Sequence, residues 1–398
     1  MSPTLECQDK INKRREEGKK VYNFGLGANP LKQSELLINL VKKYSHKKEY
    51  TSCSGIDELQ TSLGNYYSND IYKIKDILTG NGLKELLFIF QLGFPGKIIH
   101  ITPSWVSYRE QLTLINKLDK LIEIPTYQKD DYKIDFKYLV NLIEKHKNEQ
   151  MMIILNNPNN PTGVAHDYIY LKELSLILKK YNIIVLADEI YLNVVHNNTN
   201  IHSISRYLPK QTILGSSLSK DLACGGYRLG WLLFPPELEY LYNICKSLSL
   251  SIYSCPNAVI QYATAEFLKE DNRLNYNQYL YDKNEIFKNN MNIICNTINN
   301  LQNKKERKIR YTNPNSSWYI FLNFIEYEEE LKKLNINDSK DLSTYLLNNH
   351  GIVTVPGVYF NTTELSIRLS LIDFDENLDI SRMIEGLNEL FKFIDILE

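Results

Sequence analysis

Seven short apolar segments recur between residues 77 and 234, and amphipathic stretches separate several of them. Short, punctuated apolar runs of this kind are typical of buried strands. Strands that alternate with helices form a mainly parallel sheet with helices on both faces. The sequence therefore predicts an α/β fold around a mainly parallel sheet. The candidate strands are Ile77–Thr79, Lys97–Ile101, Lys120–Ile124, Met151–Leu155, Ile183–Ala187, Thr212–Leu214 and Trp231–Phe234.

Polar clusters begin just after the carboxyl ends of five of these candidate strands. In sheets of parallel strands, ligands bind beyond the carboxyl ends of the strands. Five unrelated loops have no need of that placement, so the pattern predicts one shared pocket. The clusters are Gly80–Gly82, Pro103–Trp105, Asn156–Gly163, Asp188–Tyr191 and Ser216–Lys220.

The chain has 398 residues, beyond the roughly 250–300 residues at which a single core stops growing. After about residue 285 the pattern changes to charged, helix-rich stretches with a few short strands. We predict an N-terminal segment, 1–45, that packs with the small domain. A large α/β domain over 46–285 and a small α+β domain over 286–398 complete the expected organisation.

Charge and composition exclude several classes of function. The 46 basic and 47 acidic residues give a net charge of -1, so no overall field favours nucleic acid or an anionic membrane as a partner. A secretory signal and an apolar run long enough to span a bilayer are both missing, which predicts a cytoplasmic protein. Six cysteines and seven histidines are scattered without metal-ligand spacing, so we expect free thiols and no metal site.

The stretch Gly215–Gly230 places one lysine and one arginine between two apolar runs. A lone lysine in a loop is usually a solvated charge, and an isolated Ser-x-x-Lys is common. Here Lys220 and Arg228 are confined with Ser217 around a glycine pair that allows a tight turn. An amine beside an anion clamp is what a phosphorylated aldehyde requires, so we predict that Lys220 forms a Schiff base.

Asp188 ends an apolar strand, at the expected mouth of the sheet. Its carboxylate can cap a following helix, or it can stabilise a proton on a heteroaromatic nitrogen. Tyr191, three residues later, lies near enough to donate a hydrogen bond to an oxygen on the same ring.

The segment Asn156–Gly163 contains two Asn-Pro steps within five residues. Each proline restricts the residue before it, which favours a rigid turn over a helix. A plain surface turn uses the same residue types, but a rigid double turn that projects Asn160 inward is a more demanding arrangement.

The turn Thr79–Gly82 precedes a helical pattern. Exposed amides at the positive end of a helix bind phosphate, although any strand-to-helix turn can contain glycine. Arg228 can supply the matching bidentate charge, and Ser217 can supply a hydroxyl.

Trp105 and Arg368 each allow two interpretations. Most tryptophans are core residues, but Trp105 follows a strand, where an indole can stack on a flat ligand. Arg368 lies in the middle of an alternating strand. It lies either on an exposed face or where its fork reaches a substrate carboxylate.

Together these motifs resemble the class I/II aminotransferases among the fold type I pyridoxal-phosphate enzymes. The resemblance extends from Tyr22 to about Leu371, with the motifs in the family's order. It implies the aspartate aminotransferase-like fold of the pyridoxal-phosphate-dependent transferases. It also implies pyridoxal 5'-phosphate as cofactor, amino-acid and 2-oxo-acid substrates, and a homodimer with shared active sites.

The resemblance also implies roles around the cofactor. Lys220 would bond the aldehyde and carry the Cα proton, Asp188 would contact the pyridine nitrogen, and Tyr191 and Asn160 would contact the phenolic oxygen. Trp105 would stack on the ring. The phosphate would be held by Ser217, Arg228 and the turn of Gly80, Asn81 and Gly82, whose last two amides face it.

Three further residues match positions that bind substrate or cross the dimer interface. Arg368 and Gly27 would bind the substrate α-carboxylate, with Asn160 beside them. Tyr50 would reach the phosphate of the neighbouring subunit.

The resemblance leaves the donor and the reaction branch open. The stretch Ser249–Pro256 lacks the arginine that one aspartate-specific subgroup carries there, so we expect a neutral or aromatic donor. The sequence Ser-Leu-Ser-Lys-Asp that ends at Asp221 also resembles that of aminocyclopropane-carboxylate synthases, so a lyase remains the alternative. A cofactor-sensing regulator is not expected, because about twenty residues before Tyr22 are too few for a DNA-binding module.

Overall fold

A computed structural model describes residues 11–196, 201–303, 305–375 and 377–398. Cys7, one of the predicted thiols, lies outside these ranges. The five described cysteines are all free thiols.

Seven strands form the central sheet, in the order β2-β8-β7-β6-β5-β3-β4. β8 pairs antiparallel with both β2 and β7, and the remaining neighbours pair parallel. Six strands therefore share one direction, which confirms the predicted mainly parallel sheet. The strands are β2 Asp76–Gly80, β3 Lys97–Thr102, β4 Leu121–Pro125, β5 Met151–Asn156, β6 Ile184–Asp188, β7 Thr212–Ser217 and β8 Gly230–Phe234.

Both faces of this sheet are covered by helices. Successive residues of a strand point to opposite faces, and every residue of β5 is buried. Met152 and Ile154 pack with the helix Leu83–Gly93, whereas Met151 and Ile153 pack with the helix Tyr168–Lys180. The helices of this part are Glu35–Tyr44, Asp57–Tyr67, Leu83–Gly93, Ser107–Leu114, Phe136–Lys145, Tyr168–Lys180, Glu239–Ile252 and Ala258–Phe267.

The helix Tyr168–Lys180 shows why these segments fold where the sequence predicts them. Asp167 caps its first turn by accepting a hydrogen bond from the Tyr170 amide at 2.8 Å. Lys179 and Lys180 lie in its last turn, where positive charge is favourable against the helix dipole.

A smaller antiparallel sheet, in the order β11-β12-β9, follows in the chain. Its strands are β9 Tyr319–Asn323, β11 Val355–Pro356 and β12 Ser366–Ser370. Ile320 and Ile367 belong to the core that this sheet shares with its helices, so their neighbours Tyr319 and Arg368 point the other way. The helices of this part are Arg273–Gln302, Glu328–Lys333, Ser339–Tyr345 and Ser381–Leu397.

The N-terminal segment contributes a short strand, β1 Tyr22–Asn23, which pairs parallel with β10 Ile352–Val353. Tyr22 and Phe24 are buried in the same core as β9 and β12. The division of the chain into domains stays a prediction, and position 285 lies inside the 30-residue helix Arg273–Gln302.

None of the helices in the described ranges combines the length and the apolar character needed to cross a membrane.

Candidate active site

The carboxyl ends of β2, β3, β5, β6 and β7 meet at one edge of the central sheet. Asn156 at the end of β5 is in register with Asp188 at the end of β6, and Asp188 is in register with Gly215 of β7. The Asn156 side-chain amide donates to the Asp188 carbonyl at 3.0 Å. The predicted polar clusters therefore follow strands that end side by side.

Lys220 lies in the loop after β7 and is half-buried. Its Nζ donates to the Gly27 carbonyl at 2.5 Å, and the Asn29 side chain donates to the Lys220 carbonyl at 2.7 Å. The ammonium lies 5.7 Å from the centre of the Tyr191 ring and 5.6 Å from that of Trp318. The segment after β1 thus holds the Lys220 amine beside the rings of Tyr191 and Trp318.

Asp188 is buried, with 4% of its surface exposed. Tyr108 donates its hydroxyl hydrogen to Asp188 Oδ2 at 2.5 Å, and the Ile190 amide donates to Oδ1 at 3.3 Å. A turn, and no helix, follows this strand, so the alternative of a helix cap is wrong.

Burial raises the pKa of Asp188 from 3.8 to about 6, although the hydrogen bonds from Tyr108 and Ile190 and the charge of Lys220 oppose the rise. The folded site therefore favours the protonated form of Asp188 more than the unfolded chain does. Protonated Asp188 stabilises the fold below its ordinary pKa, and that stabilisation is lost as the pH rises through 6. A cation placed beside this carboxylate lowers its pKa again.

Tyr191 and Tyr319 form a hydroxyl pair in the same region. Their oxygens lie 2.9 Å apart, and both side chains are buried. Burial raises the pKa of Tyr191. Burial also raises the pKa of Tyr319, but the positive charges of Lys220 and Arg368 outweigh it and lower that pKa overall.

The double turn Asn156–Gly163 brings Asn160 into the site. Its backbone amide donates to Asn156 Oδ1 at 2.8 Å, and its Oδ1 accepts from Arg368 Nη1 at 3.0 Å. Gly163 has φ of 71°, and a Cβ there would lie 2.2 Å from the Tyr319 carbonyl oxygen. Only glycine allows the turn to approach β9 this closely.

Arg368 is 7% exposed, so the interpretation that places it on an exposed face is wrong. Its guanidinium carbon lies 4.3 Å from the centre of the Tyr319 ring and 5.4 Å from that of Phe360. Within the described ranges it has no carboxylate partner, and its Nε is buried without a hydrogen bond. A buried guanidinium without a counter-ion is costly, which indicates an anionic ligand.

Arg228 lies beside the first turn of the helix Leu83–Gly93. Its Nη2 donates to the Asn81 carbonyl and its Nη1 to the Gly225 carbonyl, each at 2.8 Å. Gly82 has φ of 94°, and a Cβ there would lie 2.6 Å from Arg228 Nη2. Because Gly82 has no side chain, the Arg228 guanidinium and the N-terminus of the helix Leu83–Gly93 face the same small space. Their positive charges favour the binding of an anion there.

The two predicted backbone amides are already hydrogen-bonded inside this turn. The Asn81 amide donates to Glu85 Oε2 at 2.7 Å, and the Gly82 amide donates to the Gly80 carbonyl at 2.8 Å. Ser217, at the end of β7, accepts a hydrogen bond from the Ser219 amide through its Oγ. The phosphate contacts of Gly80, Asn81, Gly82 and Ser217 stay predictions.

A cleft of about 640 Å³ runs beside this edge of the sheet, and Gly27, Trp105 and Arg368 line it. Trp105 meets Tyr108 edge to face, with ring centres 5.4 Å apart. Tyr50 lies elsewhere: it is 92% exposed and borders a separate depression with Leu250. The single chain therefore does not bring Tyr50 to the other predicted residues.

The sequence interpretation missed Tyr108, Tyr319 and Asn29. Tyr108 comes three residues after Trp105, a spacing that places both near one face of a helical turn. Tyr319 and Arg368 lie in strands whose alternation indicates which residues face away from the core. These signals identify a face, but the partner on that face is visible only in the folded chain.

Comparison with known proteins extends over most of the chain. Residues 19–380 match the sequence family described as Aminotransferase class I and II. The chain is 27% identical to the aspartate aminotransferase of Sulfolobus acidocaldarius, covering 95% of this chain and 93% of that protein. It is 26% identical to the asparagine–oxo-acid transaminase of Streptococcus mutans, covering 99% and 96%.

A solved structure shows the same fold. A double mutant of Thermus thermophilus aspartate aminotransferase superposes with a TM-score of 0.84 at 19% identity, covering 98% of this chain and 96% of that one. The fold class predicted from the sequence is confirmed by this likeness.

Tyr108→Phe removes the hydroxyl that donates to Asp188 Oδ2. Because that hydrogen bond favours the carboxylate, we expect the pKa of Asp188 to rise above about 6 in the variant. Infrared difference spectra of the protein without ligand against Asp188→Asn would report the carboxyl titration. Tyr170→Phe, which removes another buried hydroxyl, serves as the control. A midpoint that stays the same or falls in Tyr108→Phe would contradict the assigned hydrogen bond.

Proposed function

The chain belongs to the class I and II aminotransferases, and from that membership we propose that it binds pyridoxal 5'-phosphate through Lys220. The enzymes of this family transfer an amino group from an amino acid to a 2-oxo acid. The observation that carries the proposal is the position of Lys220. Its ammonium lies beside Tyr191. It is also close enough to Asp188 for its charge to oppose the rise that burial causes in the pKa of that carboxyl group.

The residues present fit the chemical groups of this cofactor. Arg228 and the start of the helix Leu83–Gly93 form a cradle that a Cβ at position 82 would fill, which suits a phosphate. Asp188 suits a protonated pyridine nitrogen, because a cation stabilises a buried carboxylate. The hydroxyl of Tyr191 and the amide of Asn160 suit the phenolic oxygen.

One feature of the cradle opposes the fit. The Glu85 carboxylate holds the Asn81 amide, and a negative charge near a phosphate is unfavourable. We propose that this carboxylate turns away when phosphate binds, which frees the Asn81 amide.

When bound, the cofactor supplies an aldehyde that bonds amino groups and a ring that withdraws electrons from the substrate Cα. The protein supplies the proton chemistry. After the substrate amino group displaces it from the aldehyde carbon, the free Lys220 Nζ would act as a positioned general base, which would take the proton from the substrate Cα and deliver it to the cofactor's C4′ carbon. Asp188 holds a proton on the ring nitrogen, and Tyr108 keeps that carboxylate oriented.

Arg368 is the proposed site for the substrate α-carboxylate. Its buried fork has one hydrogen bond to Asn160 and one long contact, 3.4 Å, to the Gly25 carbonyl. A carboxylate would neutralise the charge and satisfy the unpartnered Nε. Gly27, which lines the same cleft, is proposed to contact that carboxylate through its backbone, and Trp105 to stack on the cofactor ring.

Two further proposals rest on the family and on composition. We propose a homodimer in which the exposed Tyr50 reaches the cofactor phosphate of the neighbouring subunit, and sedimentation equilibrium tests this assembly. The five free cysteines support a reducing compartment, and we propose the cytoplasm.

The relatives named above carry the names of aspartate and asparagine enzymes. The stretch Ser249–Pro256 contains no arginine, which argues against dicarboxylate recognition by that route. The alternative of a lyase is not favoured by the family match.

A donor screen separates transfer from elimination. We expect 2-oxo acid to accumulate from at least one donor among aspartate, asparagine and phenylalanine, only when 2-oxoglutarate is present as acceptor. Coupled chromatography of the keto acids, with an ammonia assay in parallel, measures this. Ammonia or a cyclised product formed without acceptor would instead establish the lyase.

Lys220→Ala should lose the visible absorbance of the bound cofactor and at least about 10²-fold in turnover, because the amine that bonds it and moves the proton is gone. Borohydride reduction of the parent, followed by peptide mapping, should place the label on Lys220. The exposed Lys172→Ala is the control and should be labelled like the parent. Parent protein that stays colourless with excess cofactor, or a label on another lysine, would refute the proposal.

Arg368→Lys keeps a positive charge but loses the planar fork. We expect KM for the best amino donor to rise about 10- to 100-fold, since a charged bidentate contact contributes roughly 1.5–3 kcal/mol. The cofactor absorbance should be retained. Steady-state kinetics measures the change, and an unchanged KM for every donor would remove Arg368 from substrate binding.

A further inference from the structure

Tyr319 is a buried residue at the centre of the site to which the sequence motifs assign no role. It begins β9, where Ile320 and Leu322 face the core, so Tyr319 and Phe321 face the cleft side. In the register of the sheet, Arg368 lies opposite Phe321 and Ser370 lies opposite Tyr319. Tyr319 and Arg368 are therefore diagonal neighbours on one face, within reach of an aromatic ring.

The ring of Tyr319 supports the guanidinium of Arg368. The guanidinium carbon lies 4.3 Å from the ring centre, which is a close cation–π contact. Asn160 holds one end of the fork at 3.0 Å, so the ring and the amide together limit the orientations open to Arg368.

The hydroxyl of Tyr319 contacts the part of the site that contains Tyr191 and Gly27. It lies 2.9 Å from the Tyr191 hydroxyl, and a Cβ built on Gly27 would lie 3.7 Å from it. Gly27 is also the residue whose carbonyl accepts from Lys220 Nζ. One side chain thus contacts Arg368 and Tyr191, the residues proposed for the substrate carboxylate and the cofactor oxygen. It also lies near Gly27, whose carbonyl accepts from Lys220.

The direction of the hydrogen bond within the tyrosine pair depends on where the Tyr191 proton goes. The groups that face the pair are Lys220 after β7, Arg368 on β12 and Asp188 at the end of β6. Either hydroxyl can donate across the 2.9 Å between them, but each has only one proton. When Tyr191 donates its proton to the cofactor's phenolic oxygen, as proposed above, it can only accept the hydrogen bond from Tyr319.

We propose that Tyr319 is a positioning residue that couples the substrate-carboxylate site to the cofactor-ring site: its ring orients Arg368, and its hydroxyl directs the Tyr191 proton toward the cofactor's phenolic oxygen. The inference rests on the proposed function. A hydroxyl that accepts one hydrogen bond becomes a stronger donor of its own proton. Tyr319 therefore strengthens the contact that Tyr191 makes with the ring.

Tyr319→Phe tests the hydroxyl and keeps the ring. A donor to the phenolic oxygen competes with the proton that Lys220 Nζ shares with that oxygen. Weakening the donor should therefore raise the midpoint of the pH titration of the visible absorbance, by about half to one pH unit. Tyr191→Phe should raise the midpoint further, and Tyr191→Phe with Tyr319→Phe should match Tyr191→Phe alone.

The matched control is Tyr327→Phe, which removes a buried hydroxyl that donates to the Arg307 carbonyl. Its midpoint should equal that of the parent. Coloured Tyr319→Phe protein with an unchanged or lowered midpoint would overturn the inference, and so would a double variant whose shifts simply add. Colourless parent protein would instead refute the proposed function, so the two failures are distinguishable.

Tyr319→Leu tests the ring. We expect the dissociation constant of the best 2-oxo acid, measured by spectral titration of the coloured enzyme, to rise about 3- to 30-fold. Tyr319→Phe should stay within about twofold of the parent, because its ring still faces Arg368. Equal affinity in the Leu and Phe variants would overturn the role of the ring. If Tyr319→Leu does not fold, the Phe variant and its double-variant cycle still decide the proposal.

Discussion

Parallel pairing of the central strands is the constraint on which the site depends. β5, β6 and β7 lie side by side in one direction, so Asn156, Asp188 and Gly215 come into register at a single edge. The loops that follow these strands therefore begin next to one another. The backbone hydrogen bonds between the strands fix where each loop begins. Burial of apolar side chains on both faces stabilises the strands themselves.

The smaller sheet supplies the other half of the site through its polar face. Tyr319 and Arg368 face away from the core that β9 and β12 form with their helices. The turn Asn156–Gly163 reaches this sheet, because Gly163 lies against the Tyr319 carbonyl. The loop after β5 and the polar face of the smaller sheet thus meet at Asn160, whose side-chain oxygen accepts a hydrogen bond from the Arg368 guanidinium.

The sequence predicts the fold well because its signals are local. Apolar runs and helix caps, such as Asp167 before the helix Tyr168–Lys180, depend on neighbouring residues alone. The loops with Lys220, Asp188 and Asn160 follow from the rule that ligands bind at the carboxyl ends of parallel strands. The partners of these residues are not local. Tyr108 and Asp188 are 80 positions apart, and Lys220 and Gly27 are 193 apart, so no spacing in the sequence indicates either pair.

The Gly27 carbonyl that accepts from Lys220 belongs to the main chain. Its position follows from the pairing of β1 with β10 and from the Asn29 side chain that holds the Lys220 carbonyl. Because every amino acid has the same backbone carbonyl group, no amino-acid substitution at position 27 removes this hydrogen-bond acceptor. The resting place of the amine is therefore protected against point mutation in a way that a side-chain acceptor would not be, and only a shift of the whole segment can remove it.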